Sequence, residues 1–180
     1  MAKKVIKLNS KYLIKLFEIF IANDFDRLMI FIDEYGLNAI DNDGNNIFLH
    51  SITDESFFKL SEKIIEQVEG FDINFQNKTG VSALHFAVRY KNMKLIELLL
   101  KNKKINVNLK DINEDTPLSI ALLLFDKKVE EDIIIKLLDA GADINIFDKY
   151  GYRLNEYINV SMNRVNKYIK ESNIKIIKSR

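Results

Sequence analysis

Asn38, Asn74, Asn108 and Asn145 each stand six residues before a turn anchor, which is Gly44, Gly80, Glu114 and Gly151 in order. Successive anchors lie 36, 34 and 37 residues apart, so the chain carries an internal repeat. Units of about 33 residues are supersecondary pieces that cannot bury an apolar face alone; they stack and share one continuous core. This excludes most compact folds and directs the search toward binding. Composition allows such a core, because 47% hydrophobic and 29% charged residues are close to globular averages. The 180 residues hold about five units, where about three suffice for a stable stack.

Two units spell out the local grammar. In the third, Asn77-Lys78-Thr79-Gly80 is a turn cluster: Gly80 supplies positive φ and Asn77 can bond its own backbone, which places a hairpin tip there. Ser82 is expected to cap a helix whose inner face carries Leu84, Ala87 and Val88. After a break at Lys91-Asn92, Met93 to Leu100 reads as an outer helix. In the fourth unit, Thr116 as cap and Pro117 at the first helical position form a strong helix start. Leu118, Ala121 and Leu122 make the inner face, Ile134, Leu137 and Leu138 the outer one, and Gly141 is expected to end the second helix.

The segments Gly80-Val81-Ser82-Ala83-Leu84-His85-Phe86-Ala87, Asp115-Thr116-Pro117-Leu118-Ser119-Ile120-Ala121 and Leu137-Leu138-Asp139-Ala140-Gly141-Ala142-Asp143-Ile144-Asn145 carry a resemblance. They are similar to the ankyrin-repeat family, whose unit reads approximately D-x-x-G-x-T-P-L-H-x-A, then a leucine-rich second helix, then G-A-D-x-N. The likeness weakens at Asn46-Ile47-Phe48-Leu49 and at Arg153-Leu154-Asn155-Glu156, as repeats near the ends of a stack do. It implies an all-α ankyrin-repeat α-solenoid of about five helix pairs joined by short β-hairpin or turn links. The expected organisation is a basic segment at 1–10, one array at 11–171 and a basic tail at 172–180. Within the array the units are 11–40, 41–76, 77–110, 111–147 and 148–171.

Around this frame, the stretches Lys11 to Ala22 and Phe25 to Tyr35 read as a first repeat without its hairpin, capped at Ser10 and Asp24. Two units exceed the period. Their surplus falls near Asp54-Glu55-Ser56-Phe57-Phe58 and Phe125-Asp126-Lys127-Lys128-Val129, and Phe57 and Phe58 are expected to pack locally. A closing helix near Met162 to Glu171 is expected to cover the end of the stack, followed by Asn173 to Lys178 as a frayed or strand-like tail.

The search for chemistry yields little. A chain with no cysteine has no disulfide framework and no thiolate chemistry. His50 and His85 show no serine, cysteine or carboxylate at a spacing that suggests a nucleophile relay, and the resemblance gives His85 a structural, hydrogen-bonding role. Asp41-Asn42-Asp43-Gly44-Asn45 resembles the acidic start of a calcium loop, but Ala39 stands where an acid is required. No phosphate-cradling glycine motif occurs. The reading is a non-enzymatic protein with no cofactor and no metal. Lys15 and Glu18 interrupt the N-terminal apolar run, and no stretch reaches the roughly 18 apolar residues of a membrane span. A cytoplasmic protein is therefore expected, and the sequons at Asn77-Lys78-Thr79 and Asn159-Val160-Ser161 read as turn residues.

The net charge of +1 conceals alternating blocks: +5 over 1–17, −9 over 18–69, +6 over 70–110, −7 over 111–148 and +6 over 149–180. Such alternation excludes the continuous basic track of a nucleic-acid binder. Acidic blocks instead suit a basic protein partner, met by a chain that is monomeric when unbound. The resemblance implies recognition from a concave face made of hairpin tips and the ends of the inner helices. Those positions are Asn42, Asp43, Asn45, Thr53 and Asp54; Lys78, Thr79, Val81, Arg89 and Tyr90; Ile112, Asn113, Asp115, Leu123 and Leu124; and Lys149, Tyr150 and Tyr152. Arg89, Tyr90, Tyr150 and Tyr152 carry most weight, because interface energy concentrates in tyrosine, tryptophan and arginine. Three function classes follow: a protein-binding module, in its sharper form a toxin-neutralising inhibitor or immunity protein; a host-directed effector or scaffold; and a small-molecule or cryptic enzymatic role, which requires a deep polar pocket.

Overall fold

The computed structural model describes residues 6–124, 128–158 and 162–176, with side chains for all of these except 128–130. The N-terminal Ala2-Lys3-Lys4, the link residues Phe125 to Lys127, the sequon at Asn159 to Ser161 and the tail residues Ile177 and Lys178 lie outside them. The fold is an all-α ankyrin-type solenoid. Its helices are α1 (Ser10–Ile21), α2 (Phe25–Tyr35), α3 (Ile47–His50), α4 (Phe58–Gln67), α5 (Ala83–Arg89), α6 (Met93–Leu100), α7 (Pro117–Leu123), α8 (Lys128–Asp139) and α9 (Asn163–Glu171). Short 3-10 turns cover Glu55–Phe57 and Leu154–Tyr157. Extended pairing is limited, among the described residues, to isolated bridges such as Ile40 with Asn46, Gln76 with Ser82 and Phe147 with Arg153. The chain divides into two compact units, residues 1–86 and 87–180, with the boundary inside α5.

In the first unit α1 packs on α2, and Leu16, Ile19, Phe20, Leu28 and Phe31 are almost fully buried. Each such side chain contributes about 1.5–3 kcal/mol on leaving water. Phe57 joins this core at 5.2 Å from the Phe20 ring and 6.1 Å from that of Phe17, so the surplus of the second repeat packs inward. The first cap differs from expectation. Asn9, not Ser10, precedes α1, and its Oδ1 accepts the N–H groups of Lys11 and Tyr12, satisfying donors that the first helical turn leaves open. Asp24 caps α2 as expected, accepting the Arg27 N–H at 3.0 Å.

In the second unit α6 and α7 both pack on α8, and α8 packs on α9. Thr116 and Ser119 cap α7 reciprocally: the Thr116 hydroxyl accepts the Ser119 N–H, and Ser119 Oγ accepts the Thr116 N–H at 2.8 Å. The chain's only proline, Pro117, sits at the first helical position. Gly141, at φ 90°, ends α8, and the next N–H, that of Ala142, returns to the Leu137 carbonyl. Asn173 at φ 53° ends α9 in the same way, with the Ile174 N–H bonded to the Ile169 carbonyl. Asn145 then donates to the Lys175 carbonyl at 2.9 Å, which holds the start of the tail against the last repeat.

Candidate partner-binding surfaces

One turn, built four times, positions every hairpin tip. Asp41, Asn77, Asp111 and Asp148 each place Oδ1 against the backbone N–H groups two and four residues ahead, at 2.7–3.0 Å. A side chain that gathers two N–H groups fixes the loop without any ladder of strand bonds. The residue three positions on takes positive φ: Gly44 at 81°, Gly80 at 73°, Glu114 at 65° and Gly151 at 82°. Glycine is the natural occupant there, and Glu114 is a side chain held in a region that L residues disfavour.

Tips in the first unit are polar and bonded to each other. The Lys78 N–H donates to the Asp43 carbonyl at 3.0 Å, the Lys78 ammonium donates to the Asn42 carbonyl, and Asn77 Nδ2 donates to Asn45 Oδ1 at 2.8 Å. Asn42, Asp43 and Thr79 remain exposed. Thr53 is half-buried with its hydroxyl on the His50 carbonyl, and exposed Asp54 caps the following 3-10 turn. Val81, by contrast, is only 8% exposed, because it follows the turn and enters the core; it offers no surface to a partner.

Behind this hairpin lies a pair that the sequence reading missed. His50 does have a carboxylate neighbour: its Nε2 stands 3.0 Å from Asp41 Oδ2, off the line of a well-aligned hydrogen bond, with both side chains buried. Burial pushes the imidazole below the ordinary histidine value, against the opposing pull of Asp41 and Asp43. His85 also has a hydroxyl partner, since Ser82 Oγ is 2.7 Å from its Nδ1, and the Ser82 N–H donates to the same nitrogen at 3.2 Å. That arrangement caps the start of α5, in the register that Ser119 fills in α7. Both partners join residues whose separation along the chain matches no relay motif, so only the folded turn reveals them.

The second unit exposes apolar side chains at its tips. Ile112 is 68% exposed, Tyr150 70%, Tyr152 56% and Phe147 50%, and at the end of α7 Leu123 is 57% and Leu124 40% exposed. Arg89, Asn113 and Lys149 are exposed, whereas Tyr90 and Asp115 are half-buried. The Lys149 ammonium lies 5.2 Å from the centre of the Tyr150 ring, and the Arg153 guanidinium stacks at 4.2 Å on Phe147 while donating to the Asn145 carbonyl. Desolvation acts to raise the Asp148 carboxyl, but the Tyr157 hydroxyl and the N–H groups of Tyr152, Tyr150 and Gly151 outweigh it and hold the group below the ordinary aspartate value. The Tyr157 phenol is correspondingly pushed up to about 12 by its bond to Asp148. Phe147 and Arg153 were absent from the positions expected of a partner site. A signal existed: the residue before the turn aspartate or asparagine is Gln76 or Lys110 in the two preceding repeats and becomes phenylalanine here.

The acidic block at 111–148 is used internally. Besides Asp111 and Asp148 in their turns, Glu114 pairs with Lys110 at 2.7 Å, Asp115 accepts from Ser119, Asp132 pairs with Arg164, Asp139 accepts from Tyr168 and Asp143 accepts the Asn145 N–H. Buried Glu131 accepts the N–H groups of Arg164 at 2.7 Å and Val165 at 3.0 Å, which caps α9, where Met162 supplies no side-chain cap. These are all the acids of the block whose side chains are described. Among the described residues no group of three or more potential ligands is placed to hold a metal ion, and no helix is long and apolar enough to cross a membrane.

Comparison with known proteins now adds to this geometry. Residues 49–148 match the family description "Ankyrin repeats (3 copies)". A putative ankyrin repeat protein of Acanthamoeba polyphaga mimivirus is 46% identical over 52 residues, covering 29% of this chain and 7% of the relative. A BTB/POZ domain and ankyrin repeat-containing protein of Oryza sativa subsp. japonica is 39% identical over 62 residues, 34% of this chain and 10% of its own length. The Neurogenic locus Notch protein of Drosophila melanogaster is 38% identical over 75 residues, 42% of this chain and 3% of the relative. The chain thus matches a tenth or less of each of these relatives.

Proposed function

This chain belongs to the ankyrin-repeat family, and we propose that it is a cytoplasmic, non-enzymatic binding module that meets a protein partner through the hairpin tips and the end of α7 in its second unit. Ankyrin repeats generally mediate protein–protein interaction, and the family is generally a non-enzymatic module. The observation that carries the reading is the solvent exposure of Ile112, Leu123, Leu124, Tyr150 and Tyr152, side chains that a free-standing surface gains nothing by showing. Aromatic anchors of this kind dominate interface energy. The narrower expectation of a toxin-neutralising inhibitor drew part of its support from the acidic blocks. With the described carboxylates of 111–148 engaged internally, the acidic block at 18–69 and the exposed apolar tips are the support that remains.

The test is affinity capture from the cells that make the chain, with a photo-crosslinking phenylalanine analogue at Tyr152 or, as control, at Asp43. A protein crosslinked from position 152 and not from 43 is the expected result. Tyr90→Ala and Tyr150→Ala should keep the fold and weaken that partner by more than about 1 kcal/mol each. Equal capture by wild type and both variants would remove the second-unit surface from consideration. Co-expression with a neighbouring toxin tests the inhibitor role: undiminished toxicity ends it.

A further inference from the structure

An open groove of about 630 Å³ lies in the first unit, walled by the end of α2, the loop that follows it, Ile6, and Glu69 just beyond α4. The wall is apolar where Ile6, 42% exposed, and half-buried Leu37 reach it, and acidic where Asp33, Glu34 and Glu69 do. Among the described residues no basic side chain lines it. Hydrogen-bonded carboxylates keep their charge, and the nearby cations offset only part of it. Lys15, 3.3 Å from Glu34, balances one of the three acids. Asp33 and Glu69 have no hydrogen bond or ion pair among the described residues, and Glu66 and Asp72, on either side of Glu69 along the chain, add two more negative charges. Lys7, next to Ile6, is exposed and stands outside the lining. Over residues 1–72, with every N-terminal lysine included, there are thirteen acidic side chains and eight basic ones, a net −5.

The two helix ends add to this charge. Carbonyls left open at a helix C-terminus carry partial negative charge, which favours a cation in the last turn. Neither α2 nor α4 has one there: α2 ends with Asp33 and Glu34 in its last turn, and α4 with Glu66 in its last turn and Glu69 two residues beyond. A Cβ on Gly36 or on Gly70 would meet nothing within 4 Å, so the main chain at both ends is open to an occupant. We propose that this groove takes a basic segment of a protein partner, a lysine or arginine entering among Asp33, Glu34 and Glu69 while an apolar neighbour rests on Ile6 and Leu37. Such a cation relieves the repulsion between carboxylates together with that between acids and helix ends. The inference goes beyond the second-unit surface and stands without it. A bare metal ion fits less well, because among the described residues no group of three or more ligands is placed to hold one, and it would leave the apolar wall uncovered.

Fluorescence anisotropy of the full chain tests this with three labelled peptide mixtures of equal Leu, Ile and Phe content, whose other positions are Lys/Arg, Ser/Gln or Asp/Glu. The Lys/Arg mixture should bind about tenfold tighter than the Ser/Gln mixture, and its affinity should fall as salt rises. Asp33→Asn with Glu69→Gln should weaken it by about tenfold and raise the urea midpoint of the free chain, because repulsion at two helix ends is removed. Glu18→Gln with Glu55→Gln, an equal charge change at exposed positions outside the groove, should alter binding by less than about twofold, as should Tyr150→Ala. Equal or tighter binding of either other mixture overturns the basic preference. Equal losses in the two double variants reduce the attraction to net charge and overturn the groove as its site. Loss in Tyr150→Ala alone moves the basic segment to the second unit, which overturns this inference and leaves the proposed function standing. A lower urea midpoint in Asp33→Asn with Glu69→Gln makes the acids part of the fold and overturns their role toward a ligand. Calorimetric binding of calcium or magnesium chloride below about 1 mM, or a dimer in sedimentation, either of them lost in that variant, gives the groove to a metal or a second copy and overturns a partner segment. No binding of the Lys/Arg mixture up to about 1 mM does so as well.

Discussion

The tips at Asn42, Asp43 and Lys78 in the first unit bond to each other, whereas those at Ile112 and Tyr150 in the second present apolar side chains to solvent. Both sets rest on the same turn, with one carboxylate or carboxamide oxygen gathering two N–H groups. The turn therefore fixes where a tip stands and leaves open what it does. Side chains at the two positions after the turn acid decide that. The Lys78 and Thr79 side chains spend their polarity on the Asn42 carbonyl and the Asn77 carboxamide, while the Lys149 ammonium lies over the exposed Tyr150 ring. One unit teaches how successive repeats are tied together, the other where a repeat is left available.

The largest effect that can break this contrast comes from the glycines. A Cβ on Gly44 would stand 2.9 Å from the Lys78 backbone nitrogen, at a φ of 81°; a Cβ on Gly151, at 82°, meets nothing within 4 Å. Gly44→Ala adds a backbone clash to the cost of left-handed φ and should destabilise by about 2–4 kcal/mol, and Gly151→Ala by about 1 kcal/mol. Urea unfolding of the two variants measures the difference. Equal losses would mean that the tight tip-to-tip approach in the first unit is not a feature of the molecule in solution.

Next in size is the remote cap. In the first unit α1, α2 and α3 are capped from their own sequence, by Asn9, Asp24 and Asn46, as α6 and α7 of the second are by Asn92 and Thr116, but α9 takes its cap from Glu131 more than thirty residues away. Glu131→Ala leaves the Arg164 and Val165 N–H groups without that acceptor and should cost about 2 kcal/mol, with Glu131→Gln recovering about half. Hydrogen exchange at the amides of 164 and 165 localises the loss. Unchanged protection in Glu131→Ala would assign the stability of α9 to packing alone.

How much of this could be read from the chain follows a clear division. Helix pairs, turn anchors, the Thr116-Pro117 start and the Gly141 stop were legible, because each is set by residues within a few positions of each other. Tyr150, Ile112 and Leu123 were legible as surface because the family resemblance implied which positions of each repeat face a partner. The Asn9 cap escaped because Asn9 and Ser10 are both good capping residues, and only the backbone angle at the helix start chooses between them. Val81 was placed on the surface because a residue next to a tip is usually exposed, yet the chain re-enters the core immediately after the turn. Glu131 and the Asp41–His50 pair needed contacts between separated segments, and charge blocks counted along the sequence could not tell a solvated acid from a capping one.

A smaller effect separates the units by pH. His50 has a folded pKa below the ordinary value, so the folded first unit binds fewer protons than its unfolded chain. Its contribution is intact above about 6.5 and is lost as pH falls from there through the folded value. The Asp148 turn in the second unit has a depressed carboxylate pKa, so its contribution is intact above the ordinary aspartate value of about 3.9 and is lost only as pH falls below it. Unfolding free energy should therefore begin to decline near neutrality, and His50→Gln should flatten that part of the profile while leaving the acid limb. A profile unchanged by His50→Gln would show that the buried pair does not couple to stability.

The smallest predicted effect is a gain, and it tests whether the four turns are energetically one design. Glu114 holds the left-handed position that the other three turns give to glycine. A side chain there costs about 1–2 kcal/mol in local strain. Glycine would relieve it but returns about 0.4–1 kcal/mol by loosening the unfolded chain. Losing the Lys110–Glu114 contact, with side chains 39% and 60% exposed, removes only about 0.3 kcal/mol. The balance favours Glu114→Gly by about 0.5 kcal/mol, measurable as a higher urea midpoint at unchanged slope. Because the substitution leaves Ile112 and Tyr150 in place, ligand binding should not change. A fall in stability instead would mean that the turn in the second unit relies on its ion pair, and that the shared geometry is held by different forces in the two halves of the chain.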